Sequence, residues 1–171
     1  MSPPRRSAKV LLLGDIGVGK TSLANRFVFD RFDGAYKTTL GVDILTHDLA
    51  LGPECDDEAL RLVLWDTDGD FGDRIFSTAY ALGAQAALIV ADASRPETLT
   101  HMGRLAVDFG DRFPGRPMRA IVNKIDLVAP ADRAFDIADI DPDEIALTSA
   151  ATGEGVAALF RSLGQAIWRC G

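Results

Sequence analysis

The chain of 171 residues carries only two cysteines, Cys55 and Cys170, and neither has a neighbour at metal-ligand spacing. A secreted disulfide scaffold and a thiolate metal centre are thereby excluded, and a reducing compartment fits. Long apolar runs are missing too. Behind Arg5 and Arg6, the stretch Val10-Leu11-Leu12-Leu13 gives way at once to a glycine-rich segment, too short for a secretion signal or a membrane span. There is no low-complexity tract, no internal repeat and no excess of basic residues. The net charge of −7 argues against nucleic acid and anionic membranes as partners, since both demand a basic patch that releases counterions or meets headgroups. A cytoplasmic protein is expected. Its 18 basic residues are mostly arginine, and with abundant alanine this bias hints at a GC-rich, prokaryotic genome.

What remains has 47% hydrophobic and 25% charged residues, the balance of a globular protein. A chain of this length is expected to bury roughly 70% of its unfolded surface in one core. Residues 1–171 therefore read as one domain, with a flexible N-terminus at 1–8. Apolar runs alternate with amphipathic segments: strands are read at 9–13, 41–51, 59–66, 86–91, 119–122 and 145–147, and a helix at 20–30. Residues 52–58, Gly-Pro followed by acids, suit an exposed hairpin end. In the last helix Val156, Leu159, Phe160, Leu163 and Ile167 share one face, and Thr152 is the expected cap. The acid-rich interval 126–145 reads as a solvated loop around one short helix. Strand–helix alternation implies an α/β fold with a mostly parallel sheet.

Gly14-Asp15-Ile16-Gly17-Val18-Gly19-Lys20-Thr21 fits the P-loop pattern, follows a strand and opens a helix, which is the context the pattern requires. Glycines let the backbone wrap closely, so that successive N–H groups and the helix N-terminus face phosphate oxygens while Lys20 neutralises them. Thr21 then has its hydroxyl placed for Mg²⁺. Asp15, Gly17, Val18, Gly19, Lys20, Thr21 and Ser22 are the phosphate-binding candidates. A later strand ends in Asn123-Lys124-Ile125-Asp126. A carboxylate such as Asp126 accepts from both N1–H and N2–H₂ of guanine, a donor pair that adenine lacks. Guanine is the base expected, with Asn123 and Lys124 completing the set.

In chain order, the phrases KVLLLGDIGVGKTSL, YKTTLGVD, LWDT, NKIDL and TSA resemble the motifs of Ras-superfamily small GTPases, Rab proteins being nearest in texture, over about residues 9–168. The resemblance implies a P-loop NTPase fold: a six-stranded, mostly parallel sheet with one antiparallel strand, helices on both faces, and the nucleotide at the strands' C-terminal edge. GTP or GDP with Mg²⁺ are the implied cofactors. Phe32 would pack against the guanine and Tyr36 would lie over the phosphates. Thr39 would complete the Mg²⁺ shell with Thr21, Asp66 would hold the ion through water, and the Gly69 N–H would bond the γ-phosphate. Ser149, Ala150 and Ala151 match the segment whose backbone closes over the guanine O6. Lys20, Thr39, Gly69 and Asp70 are the implied catalytic residues. Protein effectors and regulators would engage switch segments 33–43 and 66–80 of a monomer.

Three residues depart from the family pattern around the γ-phosphate. Asp70 stands where the family has a water-orienting Gln; it is one methylene shorter and, when ionised, only accepts hydrogen bonds. Asp68 replaces a small residue, and a carboxylate about 4–5 Å from a phosphate charge costs roughly 3–4 kcal/mol per pair at an effective dielectric near 20. Ile16 replaces Gly, Ser or Thr and crowds the path of a partner's arginine finger. Arg74, the nearest basic residue in the second switch segment, reads either as an exposed helix residue or as a finger supplied from within the chain. The last residues, Trp168-Arg169-Cys170-Gly171, lack a C-a-a-X box, so no direct lipid anchor is expected in this chain. The function expected is a Mg²⁺-dependent guanine-nucleotide switch that hydrolyses GTP slowly by in-line attack of water. The alternative is a hydrolysis-deficient, GTPase-like binding module that acts as an interaction scaffold.

Overall fold

A computed structural model describes residues 3–4, 6–34, 39, 41–67, 69–77 and 79–171. Strand β1 (Arg6–Leu13) runs through the middle of the sheet and is followed by helix α1 (Lys20–Phe29). β2 (Val42–Ala50) and β3 (Ala59–Thr67) form a hairpin. Then come β4 (Ala86–Asp92), α2 (Pro96–Arg112), β5 (Met118–Asn123), β6 (Ile145–Leu147) and α3 (Val156–Cys170). The six strands lie in the order β2-β3-β1-β4-β5-β6, and every pairing is parallel except that of β2 with β3. This is the α/β architecture expected.

Side-chain alternation along the strands divides the core into two layers. Val10 and Leu12 of β1, with Ala86, Leu88 and Val90 of β4, face one layer, which Leu23 of α1 and Phe160 and Leu163 of α3 close. Leu11 and Leu13, with Ala87, Ile89 and Ala91, face the other, closed by Met102, Leu105 and Phe109 of α2. Central strands buried on both faces are continuously apolar, which is why these runs were conspicuous in the sequence. The β2–β3 register sets Asp48 opposite Arg61, and the guanidinium donates to both carboxylate oxygens at 2.7 and 2.9 Å.

Several expected boundaries move. β1 starts at Arg6, paired with Leu60, so residues 6–8 belong to the sheet and not to a flexible terminus. α1 ends at Phe29 because Asp30 turns left-handed (φ 49°) and its N–H caps the Arg26 carbonyl at 3.0 Å. Thr152 does not cap α3. The helix opens from Gly155 at φ 74°, while the Thr152 hydroxyl accepts from the Glu154 N–H at 3.2 Å in the preceding loop. Between Asp126 and Ile145 there is no α-helix; 3-10 turns at Ile125–Leu127, Pro130–Asp132 and Pro142–Glu144 take its place, two of them opened by proline. The segment ahead of β4 also winds as 3-10 helix, Gly69–Ser77 and Ala79–Ala81, since its glycines and aspartates are poor α-helix formers. Among the described residues no helix is long and apolar enough to cross a membrane.

Candidate functional site

The parallel register brings four strand ends to one edge of the sheet. Leu12 lies level with Asp66, Leu13 with Ile89, and Asp92 with Asn123. The connections leave β1 in opposite directions here, the crevice in which open α/β sheets take ligands. A cavity of about 700 Å³ occupies it, walled at one end by Gly17, Lys20, Thr39 and Gly69 and at the other by Lys124, Asp126, Leu127 and Ala151.

The loop between β1 and α1 shapes the first end. Gly14 (φ 141°) and Gly19 (φ 103°) adopt angles closed to other residues, and a Cβ would drive the first into the Val90 carbonyl and the second into the Asn123 side chain. Five successive loop carbonyls are occupied by donors. Lys20 Nζ reaches Gly14 O at 2.7 Å and Asp15 O at 2.9 Å; Arg95 Nη1 reaches Ile16 O at 2.9 Å. Lys124 Nζ reaches Gly17 O at 2.6 Å, and Asn123 Nδ2 reaches Val18 O at 3.1 Å. The loop N–H groups, with the N-terminus of α1 behind them, are what an anion would meet. Lys20, only 6% exposed, supplies a cation from beneath.

Beside it three oxygen-bearing side chains converge. Thr21 Oγ1 donates to Asp66 Oδ2 at 2.5 Å and lies 2.8 Å from Thr39 Oγ1, which is itself 3.5 Å from Asp66 Oδ2. Asp66 Oδ1 is buried without a hydrogen-bond partner. Burial raises the Asp66 carboxyl above its ordinary range, against the opposing pull of the Thr21 hydroxyl and the Lys20 charge. Two hydroxyls and a carboxylate are hard donors of the kind Mg²⁺ takes alongside waters and substrate phosphates, and the orphaned Oδ1 is an acceptor that such an ion or its water would satisfy. Among the described residues no group of three or more His, Cys, Asp and Glu side chains could hold a metal. Ligand oxygens would have to complete the shell.

The other end is knitted by Asn123. Its Oδ1 accepts from the Thr148 hydroxyl at 3.0 Å and the Ala150 N–H at 3.2 Å, while its amide nitrogen holds the phosphate loop. Ser149 Oγ donates to Asp126 Oδ1 at 2.7 Å, fixing the orientation of an exposed carboxylate. Arg26 of α1 ties down the carbonyls of Ala150 (2.8 Å) and Ala151 (2.6 Å). Lys124 takes a left-handed backbone (φ 64°) and pairs with Asp92 Oδ2 at 2.9 Å. Burial alone would push the Asp92 carboxyl up, but bonds from the Ser94 hydroxyl and N–H and from Lys124 hold it below the usual carboxylate range.

A sequence model of the Ras family matches residues 9–169. The chain belongs to the Ras family. The GTP-binding protein yptV5 of Volvox carteri is 34% identical over 129 residues, which cover 72% of this chain and 61% of that protein. The chain thus spans about three fifths of the length of that relative.

Within this Ras-family chain, Gly17, Gly19, Lys20, Thr21, Ser22, Phe32, Thr39, Gly69, Asn123, Lys124, Asp126, Ala150 and Ala151 line the cavity. Asp15, Val18, Asp66 and Ser149 stand behind that wall and act on it through the bonds described. Tyr36 and Asp68 lie outside the described residues, and Asp70 falls in the Gly69–Ser77 winding with its side chain outside them. Ile16 lines the cavity and lies against Gly69, where an added Cβ would come within 2.7 Å of Ile16 Cγ1. Arg74 is exposed on the same 3-10 winding. Sequence reasoning missed Asn25, Arg31, Asp33, Gly34, Thr67 and Leu127 as lining residues. Each lies within two residues of a motif residue or sits one turn along its helix, so adjacency was the available signal. It also missed Arg95 and His101, which no motif marks.

Proposed function

We propose that this chain is a Rab-like guanine-nucleotide switch, a single-domain monomer of the cytoplasm, diverged in its second switch segment, that holds GTP or GDP with Mg²⁺ and hydrolyses GTP slowly. One observation carries the reading: a single cavity joins a lysine-backed phosphate loop at one end to an oriented carboxylate acceptor, Asp126, at the other. An anionic tail and a base with two adjacent donors fit those two ends at once. The family membership and the GTP-binding relative support it.

On this reading the loop N–H groups and Lys20 bind the phosphates and oppose the charge that grows on them during attack by water. Thr21, Thr39 and Asp66 would hold Mg²⁺, which when bound would supply positive charge against the phosphates. The slow rate follows from chemistry at three positions. Asp70, when ionised, offers no donor to orient water or meet an oxyanion, Asp68 brings a carboxylate to a position where the family has a small uncharged residue, and Ile16, lying against Gly69, fills the approach of an external arginine. Effectors and regulators would be proteins that read segments 33–43 and 66–80; nucleic acid is not expected as a partner.

Chromatography of the denatured protein identifies its nucleotide, and single-turnover release of phosphate measures hydrolysis. A guanine nucleotide is expected. Restoring Ile16→Gly, Asp68→Ala and Asp70→Gln together should accelerate turnover by about tenfold or more, beyond the combined single effects, because neighbours around one reacting group couple. An adenine nucleotide would overturn the base assignment. Equal rates in the parent and triple variants would overturn the account of slow hydrolysis, and no turnover in either would leave a binding module in its place.

A further inference from the structure

We infer that α2 braces the nucleotide site from outside: Arg95 and His101 are positioning residues that hold the outer side of the phosphate loop and thereby set how long the nucleotide stays bound. The inference rests on the nucleotide-binding reading above. A loop with glycine at positions 14, 17 and 19 has little stiffness of its own, and its affinity for phosphate depends on the N–H groups being fixed before the ligand arrives. Lys20, Asn123 and Lys124 fix part of it. None of them reaches the Ile16 carbonyl or the Asp15 side chain.

Those two points are held from α2. Arg95, at the N-cap, donates through Nη1 to Ile16 O at 2.9 Å, and its Nε engages Glu97 Oε1 at 3.2 Å. His101 Nδ1 is hydrogen-bonded to Asp15 Oδ1, both side chains being about three-quarters buried, at 21% and 26% exposure. An ionised carboxylate only accepts, so Nδ1 carries the proton in this pair. The mount is rigid. Thr98 accepts from the Asp92 N–H at 2.9 Å and donates to the Arg95 carbonyl at 2.7 Å, while Met102, Leu105 and Phe109 anchor the helix in the core. Arg95 and His101 therefore transmit to the loop a position set by the sheet. Arg95 grips Ile16, the residue that lies against Gly69, and His101 grips its neighbour Asp15, at the end of the cavity where the terminal phosphate would lie.

The test loads the full chain with N-methylanthraniloyl-GDP and Mg²⁺ and follows release after a chase with excess GDP. Arg95→Ala and His101→Ala should each speed release about fivefold or more, the scale on which groups in contact couple. His101→Asn, whose amide nitrogen sits where imidazole Nδ1 does, should return release to near the parent rate. The double variant Asp15→Ala/His101→Ala should release no faster than Asp15→Ala alone. Parent-like release from both alanine variants overturns the inference, and so does a double variant whose effect is the product of the two singles. Arg95 is 40% exposed, so its variant folds even where His101→Ala does not and carries the test alone. If the unmodified protein retains no guanine nucleotide, the nucleotide-binding reading itself has failed; if it does and the variants match it, only the role of α2 has.

Discussion

Asp66 and Asp92 stand at or next to the ends of two strands at one sheet edge, yet their protons are held in opposite senses because different groups reach them. Asp92 is buried but met by Ser94 and Lys124, so its charged form is favoured in the fold. Its contribution is complete above the unfolded value near 3.8 and is lost as pH falls through the depressed folded value. For Asp66 burial dominates and the neutral form is favoured. In protein free of metal and nucleotide, stability should therefore decline as pH rises from about 3.8 through the raised folded value. Urea unfolding across pH checks both. Asp66→Asn should flatten the decline, and Asp92→Asn should cost about 1–3 kcal/mol at neutral pH, less than a fully buried pair because Lys124 is a third exposed. Asp126 makes a different kind of contribution. Exposed and aimed by Ser149, it costs the fold little and, on the proposed reading, serves the guanine base. Two hydrogen bonds to a charged acceptor are worth about 3 kcal/mol, so Asp126→Asn should weaken GDP binding roughly a hundredfold and shift preference toward xanthine nucleotides. Unchanged GDP affinity in a fluorescence titration would refute its role in reading the base.

At the level of elements, the start of α3 shows what sequence can and cannot disclose. A threonine four residues ahead of an apolar stripe suggested a side-chain cap, but the chain enters the helix through a left-handed Gly155 pressed against the Leu147 carbonyl. Gly155→Ala should therefore destabilise by about 2 kcal/mol or more, combining a disfavoured φ with a steric clash. Thr152→Ala should cost under about 1 kcal/mol, the value of one partly exposed turn bond. Equal losses in denaturant midpoints would restore Thr152 as the cap. Strands β1, β4 and β5 were legible because burial on both faces leaves no polar interruption, and the phosphate loop because its glycine spacing answers to backbone angles that only glycine adopts freely. The turns between Asp126 and Ile145 were not, since 3-10 pieces of three residues lack a period to detect, nor was the Gly69–Ser77 winding, whose tighter 3-10 turn departs from the 3.6-residue period that marks an α-helix. Nor were Arg95 and His101 legible: their partners lie 79 and 86 residues away, and only the sheet order brings α2 over the loop.

For the molecule as a whole, the site is a seam between elements that otherwise meet only through the sheet. The phosphate loop follows β1, Thr39 precedes β2, Asp66 lies one residue before the end of β3, Asp92 and Asn123 end β4 and β5, and Ser149 follows β6. A nucleotide seated there touches groups from both sides of β1, and none of these groups is assembled in the unfolded chain. Binding must therefore appear as stability: a ligand specific to the folded state adds about 2.7 kcal/mol at a hundredfold excess over its Kd. For a chain of this size that is roughly 5–10 °C in Tm. The increment should have two parts, one from GDP alone and one that Mg²⁺ adds through Thr21, Thr39 and Asp66, the second removable with a chelator. Thr21→Asn removes the hydroxyl that bonds Asp66 at 2.5 Å and faces Thr39 at 2.8 Å. In that variant the Tm with GDP should be the same with and without Mg²⁺, while the parent loses part of its increment on chelation. A Thr21→Asn protein that keeps the full Mg²⁺-dependent rise would show that the ion is held elsewhere, and the orphaned Asp66 Oδ1 would need another partner.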